Sequence, residues 1–249
     1  MKSPASPKGL RVSIANDYEA MSVSAADFIE EQLIELPRLL LCASAGGSPT
    51  GCYEQLAERN QKTPKLCSQL RVLQIDEWGG LEPEHPATCR SYLERYLLQP
   101  LKIGSDRFER FQSDAVDQEA ECERIQSWLA ANGPIDICLL GLGLNGHIAL
   151  NEPANEMLPG VHVSKLARSS LTHGMLKDLA RKPRYGLTLG LADILSSRTI
   201  LLLVSGESKE AVLRRLLEPR ISPRFPASFL WLHPHVTIIC DRAALPNEP

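Results

Sequence analysis

The chain has 249 residues, of which 43% are hydrophobic and 23% charged. These proportions match globular proteins and exclude wholesale disorder. A formal net charge of -3 leaves no basic field for nucleic acid, so an anionic ligand would need a local positive site.

The N-terminal MKSPASPKGL lacks the apolar stretch of a signal peptide. No apolar run approaches the roughly 20 residues needed to span a bilayer. The expectation is a cytoplasmic protein without a membrane partner. The seven cysteines are odd in number and contain no C-x-x-C pair. They read as reduced thiols rather than a zinc site or disulfide framework, with Cys42, Cys138 and Cys240 inside apolar runs.

Residues 17–36 have helical spacing and end at Pro37, and residues 38–42 form a short apolar strand. A small-residue turn over 43–48 leads to a helix at 49–60, with Pro49 in its first turn. Residues 71–75 read as a strand that runs into Asp76-Glu77-Trp78. Helices are predicted at 88–98 and 119–131, the second closed by Asn132-Gly133. The apolar run 135–140 is a buried strand that empties into the glycine-rich segment 141–153. A short strand at 162–164 and a helix at 168–179 follow. Residues 199–204 form a β-branched and Leu-rich strand, Lys209 opens a helix to 217, and 236–240 is the last strand. This alternation predicts a three-layer α/β/α fold with an open, mostly parallel, Rossmann-like sheet. No repeat or linker interrupts it, so one domain over 1–249 is the simplest organisation.

Three strand ends concentrate chemistry. Ser44-Ala45-Gly46-Gly47-Ser48-Pro49 joins a strand to a helix start, where exposed backbone N–H groups form either an anion cradle or an ordinary tight turn. It lacks the Gly-Lys-Ser/Thr of a Walker motif. Asp76-Glu77 stands at the end of a strand facing the ligand crevice; one carboxylate could act as a general base, or the pair could cap a helix or lie at the surface. Gly141-Leu142-Gly143-Leu144-Asn145-Gly146 matches GxGxxG, but Pro153 follows closely and no acidic strand end lies about 20 residues on, which argues against nicotinamide or flavin. In the same segment His147 sits between glycine turns, near Asn151 and Glu152, in a crowd of polar groups suited to proton transfer. Lys209, just past Gly206 at a strand end, could pair a phosphate or be a solvated helix lysine.

Together these segments resemble the glucosamine-6-phosphate deaminase/isomerase family. The resemblance rests on ASAGGSPTGCY, QIDEWGGL with EHPATCRSYL, GHIALNEP, YGLTLGLADIL and SFLWLHP, and runs from about Leu39 to Cys240. IDEWGGL, LGLGLNGHIALNEP, HGMLK and PASFLWLH are more similar to the galactosamine-6-phosphate branch. Related 6-phosphogluconolactonases share the sheet and a GHTA-type loop but lack Asn151-Glu152-Pro153.

The resemblance implies a sugar-phosphate isomerase-like sheet and a small-molecule sugar phosphate as partner, with neither metal nor organic cofactor. The reaction would convert galactosamine 6-phosphate to tagatose 6-phosphate and ammonia. It assigns His147 to the ring-oxygen and O1 protons, Glu152 to orienting it, and Asp76 to carrying the C2 proton to C1. Ser44, Ala45, Gly46, Gly47 and Ser48 would hold the substrate phosphate with Lys209 as counter-charge, and Gly143 and Gly146 would shape the site. Many glucosamine-6-phosphate deaminases carry Asp where Asn145 stands here, so Asn145 reads as a branch marker that leaves Glu152 to support His147. A lid is expected over 160–182, with Arg168 and His173 as alternative phosphate contacts. The chain ends soon after Cys240, without the extension of the long allosteric relatives. The competing expectations are a glucosamine-6-phosphate deaminase giving fructose 6-phosphate, a 6-phosphogluconolactonase, and a non-catalytic sugar-phosphate sensor. Oligomeric state is open, a homo-oligomer included.

Overall fold

The computed structural model describes residues 9–245. Residues 1–8, which carry most of the reading against a signal peptide, lie outside the described residues.

The chain begins with β1 (Arg11–Ala15), α1 (Tyr18–Glu35), β2 (Leu40–Ala43), α2 (Gly47–Lys62), β3 (Arg71–Gln74) and β4 (Asp76–Gly79). It continues with α3 (Cys89–Leu93), a π-helical turn (Glu94–Leu98), α4 (Gln99–Leu101), β5 (Phe108–Glu109), α5 (Gln118–Asn132) and β6 (Ile137–Gly141). Then come β7 (His162–Ser164), β8 (Tyr185–Thr188), α6 (Leu191–Leu195), β9 (Thr199–Val204), α7 (Glu210–Leu217) and β10 (Val236–Asp241).

Seven strands form one sheet in the order β1-β10-β9-β6-β2-β3-β5, and every pairing in it is parallel. Its central strands are apolar throughout because both faces are covered. The two-residue period of a strand divides them cleanly. Leu40, Cys42, Leu73, Cys138, Leu140, Ile200, Leu202 and Ile238 pack into one core cluster. Leu39, Leu41, Val72, Ile137, Leu139, Leu201, Leu203 and Ile239 pack into another. Short polar side chains start the helices: Asp17 accepts from Ala20 N at 2.8 Å, Asp117 from Ala120 N at 3.0 Å and Thr88 from Ser91 N at 3.1 Å.

The neighbours β2 and β6 mark the point where the strand order reverses. From β2 the chain builds outward through β3 and β5; from β6 it builds the other way through β9 and β10. Such a reversal opens a crevice beyond the carboxyl ends of the strands. Among the described residues, no helix is long and apolar enough to cross a membrane.

The structure departs from the sequence expectations in four places. First, β4, β8 and β7 form a separate three-stranded antiparallel sheet, so Asp76-Glu77-Trp78 is a strand and not a loop. Second, β1, β5, β8 and the short helix α6 have no counterpart among the sequence expectations. Third, the helix expected at 88–98 passes into a π-turn before α4, where Pro100 has no N–H to donate. Fourth, the helix expected at 168–179 is replaced by two single 3-10 turns, Ser170–Thr172 and Gly174–Leu176. Between them His173 adopts ψ 143 and its ring accepts from Met175 N, and Ser169 and Ser170 spend their hydroxyls on a distant loop rather than on local structure.

Candidate active site

At the carboxyl ends of β2, β3 and β6, the crevice contains a cavity of about 270 Å³. Its wall includes Ser44, Ala45, Gly46, Gly47 and Ser48 after β2, Asp76 and Trp78 from β4, Gly143 and His147 after β6, and Lys209 after β9. Segments distant in sequence therefore meet where the sheet topology brings its strand ends together.

The turn after β2 depends on Gly46, whose φ of 134° lies in the left-handed range that side chains disfavour. The Gly46 carbonyl accepts from Thr50 Oγ1 at 2.9 Å and Tyr92 OH at 3.0 Å, and α2 begins at the next residue. The first backbone N–H groups of a 16-residue helix thus stand at the cavity.

The acidic pair splits. Alternation along β4 sends Asp76 and Trp78 to the cavity and Glu77 away from it. The Glu77 carboxylate is fully buried and accepts from Trp78 N at 2.7 Å, Cys89 N at 2.7 Å, Arg90 N at 2.9 Å and Gln74 Nε2 at 2.8 Å. Cys89 and Arg90 open α3, so Glu77 anchors that helix to β4. Asp76 is the carboxylate of the pair that faces the cavity. Burial raises its pKa, the nearby Glu77 charge raises it further, and the Cys89 thiol opposes both, for a value of about 7.

The His147 loop is folded by its own backbone. Gly146 N donates to Gly143 O at 2.9 Å, Gly143 N to His147 O at 3.0 Å and His147 N to Asn145 Oδ1 at 3.1 Å. The His147 ring lies so close over Gly143 that a Cβ on residue 143 would sit 2.4 Å from Nε2. No helix follows this loop, so the GxGxxG match lacks the element a dinucleotide would need. On the far edge of the ring, Nδ1 is 3.4 Å from Glu152 Oε2. Glu152 also accepts from Asn145 Nδ2 at 2.8 Å, Ala167 N at 3.2 Å and Ser170 Oγ. Burial alone would raise the Glu152 pKa, but bonding to His147, the His147 charge, and bonds from Ser170 and Asn145 outweigh it and hold the group at about 2.

Lys209 Nζ donates to Leu142 O at 2.5 Å, and burial lowers its pKa. Its loop is held by Asp241, which accepts from Ser205 Oγ at 2.8 Å and Gly206 N at 3.0 Å. His173 lines the cavity near Gly46 and packs on Trp78 with ring centroids 5.9 Å apart. Burial lowers its pKa, and the His147 and Lys209 charges lower it further. Three nitrogen bases thus gather at the cavity of a chain that is acidic overall.

Some anticipated residues lie outside the cavity wall. Asn145 and Glu152 stand behind His147, Gly146 packs on the Phe225 ring, and Arg168 does not reach the wall. Of the two phosphate candidates near the turn, His173 alone lines the cavity. Sequence reasoning missed Trp78, Ser169, Ser170, Thr172 and Asp241. Trp78 was within reach, because residues i and i+2 of a strand share a face. Asp241 carried the same strand-end signal as Asp76, directly after the strand predicted at 236–240, and Ser169, Ser170 and Thr172 had no local signal. Among the described residues, no group of three or more His, Cys, Asp or Glu is arranged to hold a metal ion.

Residues 16–239 match the family described as glucosamine-6-phosphate isomerases/6-phosphogluconolactonase, and the chain belongs to that family. It is an enzyme on the deaminase side of it. A glucosamine-6-phosphate deaminase of Geobacillus sp. (strain WCH70) is 36% identical over 237 residues, 94% of each chain. A protein of Escherichia coli (strain K12) named AgaI and proposed to be a deaminase is 39% identical over 217 residues, 87% of this chain and 86% of that one. A solved monomeric glucosamine-6-phosphate deaminase superposes with a TM-score of 0.90 at 35% identity, covering 94% of this chain and 98% of that one. The 6-phosphogluconolactonase of Leishmania guyanensis, at 20% identity and a TM-score of 0.77, shares the fold.

Two stability predictions arise from the divided acidic pair. Glu77→Ala leaves several buried donors unpaired, and urea denaturation should show a loss of at least about 3 kcal/mol. Asp76 has a folded pKa of about 7 against an ordinary 3.8. Its burial is therefore without cost at low pH and grows unfavourable as pH rises toward 7. Asp76→Asn should be more stable than the parent at pH 8, by up to about 4 kcal/mol, with the gap narrowing toward pH 5. Equal stability at pH 8 would contradict this account.

Proposed function

We propose that this enzyme is an isomerising deaminase of galactosamine 6-phosphate, releasing tagatose 6-phosphate and ammonia. The observation that carries the reading is the convergence of Asp76, His147, the Gly46-Gly47 turn and Lys209 on one small cavity.

The phosphate rests on the N–H groups of residues 44–48, with Lys209 and His173 as the cationic side. A segment at 160–182 acts as the lid of a single domain. His147 takes the O1 proton and returns it to the ring oxygen, opening the sugar. Asp76 removes the C2 proton, giving an enolamine, and delivers it to C1. Water adds to the resulting C2 imine and ammonia leaves, so substrate plus water equals ketose phosphate plus ammonia. A carboxylate with a pKa of about 7 suits a group that must both take and return a proton near neutrality. Glu152, ionised through the working range, stabilises positive charge on His147. Asn145 supports the galacto epimer through the branch resemblance, and the protein is expected to act in the cytoplasm.

A second reading, glucosamine 6-phosphate giving fructose 6-phosphate, is favoured by relatives of that name aligned over 94% of the chain. Ammonia release measured with both sugars decides. Preference for galactosamine 6-phosphate is expected; preference for the gluco epimer overturns the substrate assignment, and binding without turnover of either favours a sensor. In the same assay kcat/KM should fall as pH drops below about 7, because Asp76 must be ionised to accept the C2 proton. Asp76→Asn should lose about 10²- to 10⁴-fold in kcat with binding of a sugar-phosphate analogue largely kept. Unchanged turnover would remove Asp76 from the role of base.

A further inference from the structure

Glu152 and His147 are held from outside their own loop. Ser170 is 3% exposed and opens the first 3-10 turn of the 160–182 segment. Its Oγ donates to Glu152 Oε1 and lies 3.3 Å from His147 Nδ1. The neighbouring Ser169 Oγ accepts from Asn145 Nδ2 at 3.1 Å, and Ala167 N donates to Glu152 Oε1 at 3.2 Å. One short stretch of chain therefore grips both residues that back the histidine.

A hydroxyl has one proton and two lone pairs. With its proton committed to Glu152, Ser170 Oγ can only accept from His147. The same holds for the ionised Glu152 carboxylate, 3.4 Å from the same nitrogen. Both neighbours of Nδ1 are then acceptors, which places the imidazole proton on Nδ1. In the neutral ring the lone pair then lies on Nε2, over Gly143 in the cavity wall, where it can accept a proton. Glu152 on its own loop is the charged group at the ring, and the other titratable groups of the same cavity are Asp76 on β4, His173 after the first 3-10 turn, and Lys209 after β9.

We infer that Ser170 is a positioning residue that fixes the tautomer and orientation of His147 and makes them depend on the placement of the 160–182 segment. Thr172 and His173, at the other end of the same turn, line the cavity together with Ser169 and Ser170. A substrate that engages them steadies the turn, and with it the hydroxyl behind the histidine. The segment then does more than cover the substrate, because it completes the proton-transfer apparatus at the Nδ1 edge of the ring.

This inference rests on the deaminase reading for its kinetic consequence, but not for the state of the histidine. The test combines ¹⁵N NMR of the His147 imidazole in the full chain, without substrate, with steady-state ammonia release across pH. In the parent protein, ring shifts should report a single Nδ1–H tautomer; in Ser170→Ala they should move toward a mixture. Turnover of Ser170→Ala should fall about 10- to 100-fold, the scale on which partners that orient a histidine act, with KM within about twofold and the pH profile displaced. Ser170→Thr, which keeps the hydroxyl, should restore both the tautomer and most of the turnover. A folded Ser170→Ala with parental imidazole shifts overturns the inference, as does Ser170→Thr behaving like Ser170→Ala. If Ser170→Ala does not fold, Ser170→Gly, which also removes the hydroxyl, replaces it, and parental shifts there overturn the inference equally. If the parent releases ammonia from neither sugar, the deaminase reading fails while the NMR comparison still decides the role of Ser170.

Discussion

The buried Glu77 carboxylate is the interaction on which the site is built. It ties β4 to the start of α3 through backbone N–H groups of both elements and through Gln74 at the end of β3. Burying a carboxylate is costly unless its oxygens are satisfied, and here they are. With Glu77 locked inward, strand alternation leaves Asp76 no choice but the cavity face. The Glu77 charge then helps to raise Asp76, so a structural contact also tunes the neighbouring chemical group.

Two carboxylates serve the cavity from opposite ends of the pKa scale. Asp76 has few partners and is pushed up to about 7, whereas Glu152 is bonded on all sides and held at about 2. Both are 9% exposed, so the difference comes from their neighbours as well as from burial: the Glu77 charge raises Asp76, whereas hydrogen bonds and the His147 charge lower Glu152. One is therefore suited to exchanging a proton and the other to keeping a permanent negative charge. Asn145 belongs to this scheme as a donor. An acid at that position would face Glu152 with a second negative charge where the amide now gives a bond of 2.8 Å.

Much of the fold was legible because its central strands are unbroken apolar runs, and 199–204 matches β9 residue for residue. The parallel sheet followed from alternation, and the strand-end rule located the cavity. What escaped has physical reasons. β1 lies on an edge, with Val12 and Ile14 exposed, so burial leaves no clear pattern there. The second sheet was hidden because the chain changes sheets at Ile75, between two consecutive strands. At the site, Asp76, His147, Lys209 and the Gly46-Gly47 turn could be found from residue type at a strand end. Ser170 could not, because a serine 18 residues from Glu152 acquires its place only through the course of the intervening chain. The 168–179 stretch read as helix for the same reason: its spacing is helical, but its side chains bond elsewhere.

All seven cysteines are unpaired and buried, and they are not gathered in one place. Cys42, Cys122, Cys138 and Cys240 belong to one core cluster, Cys52 and Cys67 to another, and Cys89 to the small cluster with Trp78 beside the cavity. Burial also holds Cys52, Cys67 and Cys122 at a pKa of about 12, far from the reactive thiolate. The native protein therefore carries a silent set of chemical clocks, one group in each packed region. A thiol reagent can mark them only as each region opens, and the order of labelling would chart which layer of the molecule yields first.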